Sequence, residues 1–172
     1  VRVYQLVGYQ WTQLGGDIDG EAASDQYGMS VSLSSTNGTI VAIGSRRNAG
    51  INGIYSGHVR VHQYNNNAWT QLGQDIDGEA LDDQSGRSIS LSADGTIVAI
   101  GAENSDGNGS NSGHARVYEY NNSAWTQVGA DINGGAGDLS GYAVSLSADG
   151  TIVAVGAPGA ASYRGRVRVY QL

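Results

Sequence analysis

The sequence predicts an all-β fold of repeated four-stranded antiparallel units that one chain does not close on itself. Three observations predict it. One unit recurs three times along the 172 residues. Each unit reads as four short strands parted by turn residues, with almost no helical periodicity. The hexapeptide that opens the chain, Val1-Arg2-Val3-Tyr4-Gln5-Leu6, returns as Val167 to Leu172.

The repeat is read from fixed markers, because self-similarity at a constant period decides the fold before any local pattern does. Trp-Thr-Gln begins at Trp11, Trp69 and Trp125, spaced by 58 and 56 residues, and an Asp-Ile pair follows at Asp17, Asp75 and Asp131 with the same spacing. The units run approximately over 1–57, 58–113 and 114–165, and 166–172 begins another.

Within a unit, strand one is Ser30 to Ser34 and its counterparts SISLS and AVSLS, where Val31 and Leu33 alternate with serines as in a half-buried strand. Strand two, TIVAIG from Thr39 and Thr96 and TIVAVG from Thr151, is apolar at successive positions, which suits a strand covered on both faces. Asn37-Gly38, Asp94-Gly95 and Asp149-Gly150 lie between them and predict type I′ hairpin turns, with a different loop in the first copy, which has one extra residue. Strand three is the opening hexapeptide, with VRVHQY (Val59 to Tyr64) and ARVYEY (Ala115 to Tyr120) as internal versions. Strand four is WTQLG or WTQVG, reached through Asn-rich turns. Four-stranded antiparallel units of about 40 to 50 residues or more are what propeller blades look like in sequence.

Asp83 to Ala102 (DQSGRSISLSADGTIVAIGA), followed by Gly113-His-Ala-Arg-Val-Tyr-Glu-Tyr and Ala124-Trp-Thr-Gln, resembles an FG-GAP repeat, the blade of integrin-alpha-type propellers and of many extracellular repeat proteins. Tyr27-Gly28, Ser85-Gly86 and Ser140-Gly141 stand where the family has Phe-Gly. Gly156-Ala157-Pro158 keeps the Gly-Ala-Pro element, whereas Gly101-Ala102-Glu103 and Gly44-Ser45-Arg46 have drifted from it. The resemblance implies a scaffold at the cell surface or outside the cell, and about seven blades where the family closes a ring.

Three units are fewer than the four to eight blades of closed propellers. Open faces and strand edges invite pairing with another chain. The chain enters on strands three and four and leaves on strands one, two and three, so one strand three is surplus. The two terminal copies end in Gln-Leu and the internal ones in Gln-Tyr or Glu-Tyr, which gives a higher period of 166 residues from Val1 to Val167. The expectation is one period of a longer array, or a protomer that continues its neighbour's sheet in a filament or oligomer.

Composition removes several classes of function. A formal charge of -7 argues against a nucleic-acid partner, which needs a surplus of cations. No apolar run approaches the roughly 20 residues of a membrane span. The absence of Cys excludes disulfides and thiolate metal sites.

The loop between strands four and one carries the residues closest to a metal motif. Asp17, Asp19 and Glu21 with Asp25, and Asp75, Asp77 and Glu79 with Asp83, supply oxygens in the half-loop Asp-x-Asp-Gly that calcium could use. The competing reading is that these carboxylates cap turns or accept hydrogen bonds from the strand-three arginines. Arg2, Arg60, Arg116 and Arg168 recur at one position, and Trp11, Trp69 and Trp125 at another, so both sets are assigned to scaffold and inter-blade contacts, with sugar stacking as the alternative for Trp. The connectors from strand two to strand three differ between copies. Variable loops on a fixed frame suit recognition, and Arg46, Arg47, Tyr163 and Arg164 are the expected contact residues for a neighbouring subunit or an anionic glycan. Asn37, Asn108 and Asn121 head N-glycosylation triplets in predicted turns. His58 and His114 fill one repeat position, Arg166 occupies it in the third copy, and no nucleophile stands beside them, so no catalytic residue is assigned.

Overall fold

The computed structural model describes residues 1–171; Leu172, the last letter of the second hexapeptide, lies outside the described residues. The chain is antiparallel β throughout, arranged as four successive sheets. A two-stranded ribbon of β1 (Tyr4–Val7) and β2 (Gln10–Gln13) comes first. The next sheet follows the order β3 (Ser30–Leu33), β4 (Ile40–Ser45), β5 (His58–Asn65), β6 (Ala68–Gln71), with the short β7 (Ile76–Asp77) also paired to β5. β8 (Ser88–Leu91), β9 (Ile97–Ala102), β10 (His114–Asn121) and β11 (Ala124–Asn133) form the third sheet, and β12 (Ala143–Leu146), β13 (Ile152–Ala157) and β14 (Arg166–Gln171) the fourth.

The expectation of three four-stranded blades is therefore corrected. Two sheets hold all four strand types, the first holds types three and four, and the last holds types one to three. The fifth strand of the second sheet, β7, is a detached end of strand four. It pairs His58 with Asp77 as the unbroken β11 pairs His114 with Asn133.

The strand-one to strand-two turns are also corrected. A type I′ turn needs positive φ at both central residues, but only Gly38, Gly95 and Gly150 have it, at 66°, 79° and 74°. Asp94 and Asp149 instead accept hydrogen bonds from the backbone N–H and hydroxyl of the Thr two residues on, and Gly95 N–H closes onto the Ser92 carbonyl. This is a short turn ended by a left-handed Gly, with the side chain mimicking backbone. The first copy closes its longer loop from Gly38 N–H to the Ser34 carbonyl. Two-residue turns with both φ positive do occur, at Asn66-Asn67 and Asn122-Ser123, between strands three and four.

Apolar packing lies between sheets, because each strand two presents alternate residues to opposite neighbours. Val41 and Ile43 of β4 pack on Val3 and Ile18 of the preceding segment. Ile40 and Ala42, with Val59 and Val61 of β5, pack on Ile89, Leu91, Val98 and Ile100 of the third sheet. Ala99, Ala115 and Val117 pack in turn on Val153 and Val155 of β13. The prediction of a strand covered on both faces holds for β4 and β9. In β13 only one face is covered, and Ile152 is exposed.

Candidate functional site

Two kinds of site emerge, one inside the joints between sheets and one at the open ends. The internal joints are built around Trp and Gly. Trp69 Nε1–H donates to the Leu14 carbonyl at 2.7 Å, and Trp125 Nε1–H donates to the Leu72 carbonyl at 2.8 Å. Each indole lies against the glycine after that carbonyl. A Cβ on Gly15 would come within 3.0 Å of Trp69 and one on Gly73 within 2.9 Å of Trp125, and both glycines have positive φ. Tyr64 and Tyr120 brace the two indoles with ring centroids 5.1 Å away. Strand-one serines stitch the second sheet to the third and the third to the fourth, Ser30 Oγ donating to the Gly86 carbonyl and Ser88 Oγ to the Gly141 carbonyl.

The strand-three arginines sit beside these joints. Arg60 makes a forked pair with Asp75 at 2.9 Å through both nitrogens, and Arg116 does so with Asp131 at 2.8 and 2.7 Å. Each guanidinium also bridges to the acidic loop of the preceding unit, Arg60 to Glu21 and Arg116 to Glu79. Arg2 pairs with Asp17 in the same fork but at the surface, and Arg168 has no carboxylate partner among the described residues. Burial pushes the Asp75 carboxyl up, yet hydrogen bonds from Arg60 and Gln71 outweigh it and hold Asp75 below the usual carboxylate range. The Arg116 fork holds Asp131 down as well, and the Arg2 pair brings Asp17 to about 2.

The eight carboxylates proposed as calcium ligands are thus divided among different partners. Asp17 and Asp75 face arginines, and Asp25 and Asp83 accept the backbone N–H groups of Ala22 and Ala80. Asp25 also accepts from Asn48. Asp19 is exposed, and Asp77 lines a cleft of about 500 Å³ with Glu21, Asp25, Asn48, His58 and Asp75. Burial and the neighbouring Asp75 push the Asp77 carboxyl up. Glu21, His58 and Asp75, and likewise Glu79, His114 and Asp131, bring potential ligand atoms within 4.8 Å of one another. In both trios an arginine already bridges the two carboxylates, and a fixed cation there opposes a second one. Burial and the adjacent arginine lower both histidines, so each is neutral at pH 7.

Of the expected recognition residues, Arg46 is held by Gln26 and by Glu103 of the next sheet, and Arg47 lies over the Tyr55 ring at 5.7 Å. Tyr163 is exposed at the end of a turn, α1 (Ala160–Tyr163), whose Ala161, Ser162 and Tyr163 all have positive φ. Arg164 lines a hollow of about 460 Å³ on the last sheet. The glycosylation candidates Asn37, Asn108 and Asn121 are all exposed, but Asn37 Oδ1 holds its own turn and the Asn108 amide donates to the Gly134 carbonyl at 2.7 Å.

At the open ends the same positions stand bare. Trp11 is 70% exposed against 4% for Trp125. Val167 and Val169 of β14 are 69% and 66% exposed, whereas their counterparts Val59 and Val61 are fully buried. Val31 and Leu33 of β3 are exposed, and their counterparts Ile89 and Leu91 are buried. The glycine sockets escaped the sequence reading, although a Gly three residues after each Trp-Thr was visible in all three copies as Gly15, Gly73 and Gly129.

These features define a class: successive antiparallel sheets packed face to face, as in a propeller. Within it, residues 75–118 match the model of the FG-GAP repeat. No curated protein matches the sequence. Among solved structures the chain resembles the periplasmic gluconolactonase PpgL of Pseudomonas aeruginosa, with a TM-score of 0.60 and 15% identity over 99% of this chain. The chain spans 45% of that protein's length, and at this identity the likeness concerns the fold.

Proposed function

We propose that the protein is a non-enzymatic structural module, placed outside the cell or at its surface, that associates with copies of itself into a filament or closed oligomer. One observation carries the reading: residues buried where one sheet packs on the next have counterparts exposed at the ends of the array. Trp11, Val31, Leu33, Val167 and Val169 form apolar faces of the kind that monomeric proteins rarely leave in water. Open strand edges present unpaired backbone groups to another chain. The arginine forks and the Trp-Gly contacts are repeated scaffold and differ little between copies, which suits a frame more than a reaction centre. Extracellular placement agrees with the usual setting of FG-GAP repeats, and no helix among the described residues is long and apolar enough to cross a membrane.

Mass measurement of the purified chain by light scattering, combined with imaging of the particle, tests the reading. Species well above 17.8 kDa at micromolar concentration are expected. A monodisperse single chain up to high concentration would overturn it.

A second reading rests on the cleft around Asp77, where a cation or a sugar hydroxyl could meet Glu21, Asp25 and Asn48. Thermal melting with calcium and with chelator separates the two. Binding at this cleft predicts a calcium-dependent rise of the midpoint, and the scaffold reading predicts none.

A further inference from the structure

The self-association proposed above leaves open how two copies meet, and the internal joints supply a register. The joints share two kinds of contact, and the joint between the second and third sheets holds both. The later sheet gives its Trp to a carbonyl and glycine of the earlier one, and the earlier sheet gives the first Ile of strand two to the hairpin glycine of the later one. Ile40 lies against Gly95 and Ile97 against Gly150. The strand-one backbone of the later sheet binds a serine of the earlier one, Leu91 N–H to Ser32 Oγ and Leu146 N–H to Ser90 Oγ, both at 3.0 Å.

Each of these parts has one unused member at either end of the chain. Gly129, with φ of 72°, follows the Val128 carbonyl as Gly15 and Gly73 follow theirs, but nothing lies within 4 Å of a Cβ placed on it. Trp11 is the exposed indole without a socket. Gly38, with φ of 66°, is likewise empty, and Ile152 is the exposed isoleucine that would match it. A third vacancy is the hollow of about 460 Å³ around Ala143, Gly156 and Gly165. In the internal joints Gly44 and Gly101, the counterparts of Gly156, are approached by the carbonyls of Gly86 and Gly141, so Gly28 is the residue that belongs there.

All three vacancies call for the same placement. The ribbon β1–β2 of one copy must stand where strands three and four of the other copy's last sheet belong. Strand three is already present there as β14, but Val1 to Gln5 repeats Val167 to Gln171 letter for letter. An incoming β1 segment can therefore rebuild the ladder on β13, with Arg2 opposite Val155 and Tyr4 opposite Val153 as Arg168 and Tyr170 now stand. The two strands are not equal in what they bring. Val3 is buried, with Val1 beside it, against Val41 and Ile43 of their own copy, whereas the valines of β14 face water. β14 gives up its ladder and the packing of Tyr170 on the core that includes Val153 and Val155, and the newcomer can restore both with Tyr4 in place of Tyr170.

We propose that a second copy of this chain docks head to tail by strand exchange, its β1–β2 ribbon replacing β14 beside β13 so that its Trp11 enters the Gly129 socket. The contact is heterologous, so it closes a ring if the rotation permits and otherwise propagates as a fibre. This register rests on the self-association reading, and the test is built to separate the two.

Light scattering across a dilution series compares the unaltered chain with Trp11→Ala, Gly129→Ala, Gly137→Ala and a chain ending at Arg166. Gly137 is the control for backbone strain. Its φ is 75°, a Cβ there meets nothing within 4 Å, and the counterparts Ser24 and Asp82 carry side chains at similar φ. Trp11→Ala and Gly129→Ala are expected to weaken association at least about 30-fold, the loss of one hot-spot residue, while Gly137→Ala leaves it unchanged. The chain ending at Arg166 lacks the competing strand and is expected to associate more tightly. Assembly of the Trp11 and Gly129 variants at the unaltered affinity, equal weakening by Gly137→Ala, or loss of assembly on removal of 167–172 would each overturn the register and leave self-association standing. A single-chain mass for the unaltered protein would overturn both.

Discussion

The joint between the second and third sheets and the open side of the first are built from the same residue types, yet they differ in everything that burial controls. In the joint, Trp125 is enclosed, its N–H is satisfied, and Arg116 is enclosed by two carboxylates. On the open side Trp11 stands in water and Arg2 pairs at the surface. The motif therefore does not determine the energetics, and the presence of the next sheet does.

Paired substitutions sharpen that contrast. Trp125→Ala removes an enclosed indole and leaves a cavity, and chemical denaturation should show a loss of about 3–5 kcal/mol. Trp11→Ala, measured at a dilution where the chain is single, should shift the midpoint within the roughly 0.5 kcal/mol of ordinary surface changes. Next in size, Arg116→Ala leaves Asp131 and Glu79 facing each other without a cation. A loss of about 2–3 kcal/mol is expected, toward the low end for a broken buried pair because Glu79 is half exposed. Arg2→Ala, at a surface pair, should leave the denaturation midpoint where it was.

The remaining effect concerns pH. His58 and His114 are pushed below the usual imidazole range by burial, and His62 to about 4 by burial and by Arg60. Because the folded chain binds fewer protons at these sites than the unfolded chain, their contribution is complete above about pH 6.5 and is lost as pH falls toward 4. Asp75 and Asp131, also lowered in the folded state, lose their contribution only below about pH 4. Raised Asp77 and Asp83 oppose this trend, since their protonation favours the folded chain. Melting between pH 7 and 4 should show a decline, and His62→Gln should flatten part of it. Equal slopes for the two chains would show that His62 does not titrate as its surroundings demand.

Much of the fold was legible because its signals are local and repeated. Alternation in Ser88–Leu91 and the apolar run in β9 name strands and their faces without reference to neighbours. The turn type was not legible from Asp-Gly alone, since Asp94 and Asp149 use their side chains in place of a second positive φ. The exposed state of Val31 and Leu33 was equally hidden, because the alternation of β3 matches that of β8 and only the missing neighbour distinguishes them. At the site, the Arg-Asp fork followed from a constant position in every unit. The cross-unit partners Glu21 and Glu79, and the glycines that seat the indoles, depend on how one unit rests on the next, which no single repeat encodes.

Each apolar cluster spans one joint and stops there: Val3 with Ile43, Val59 with Val98, Val117 with Val155. The molecule thus has three small cores in series, and its stability is a sum over nearest neighbours. Amide exchange should accordingly be slowest in β4, β5, β9 and β10, whose sheets have a neighbour on either side, and faster toward β1 and β14, so that the chain unravels from its ends inward.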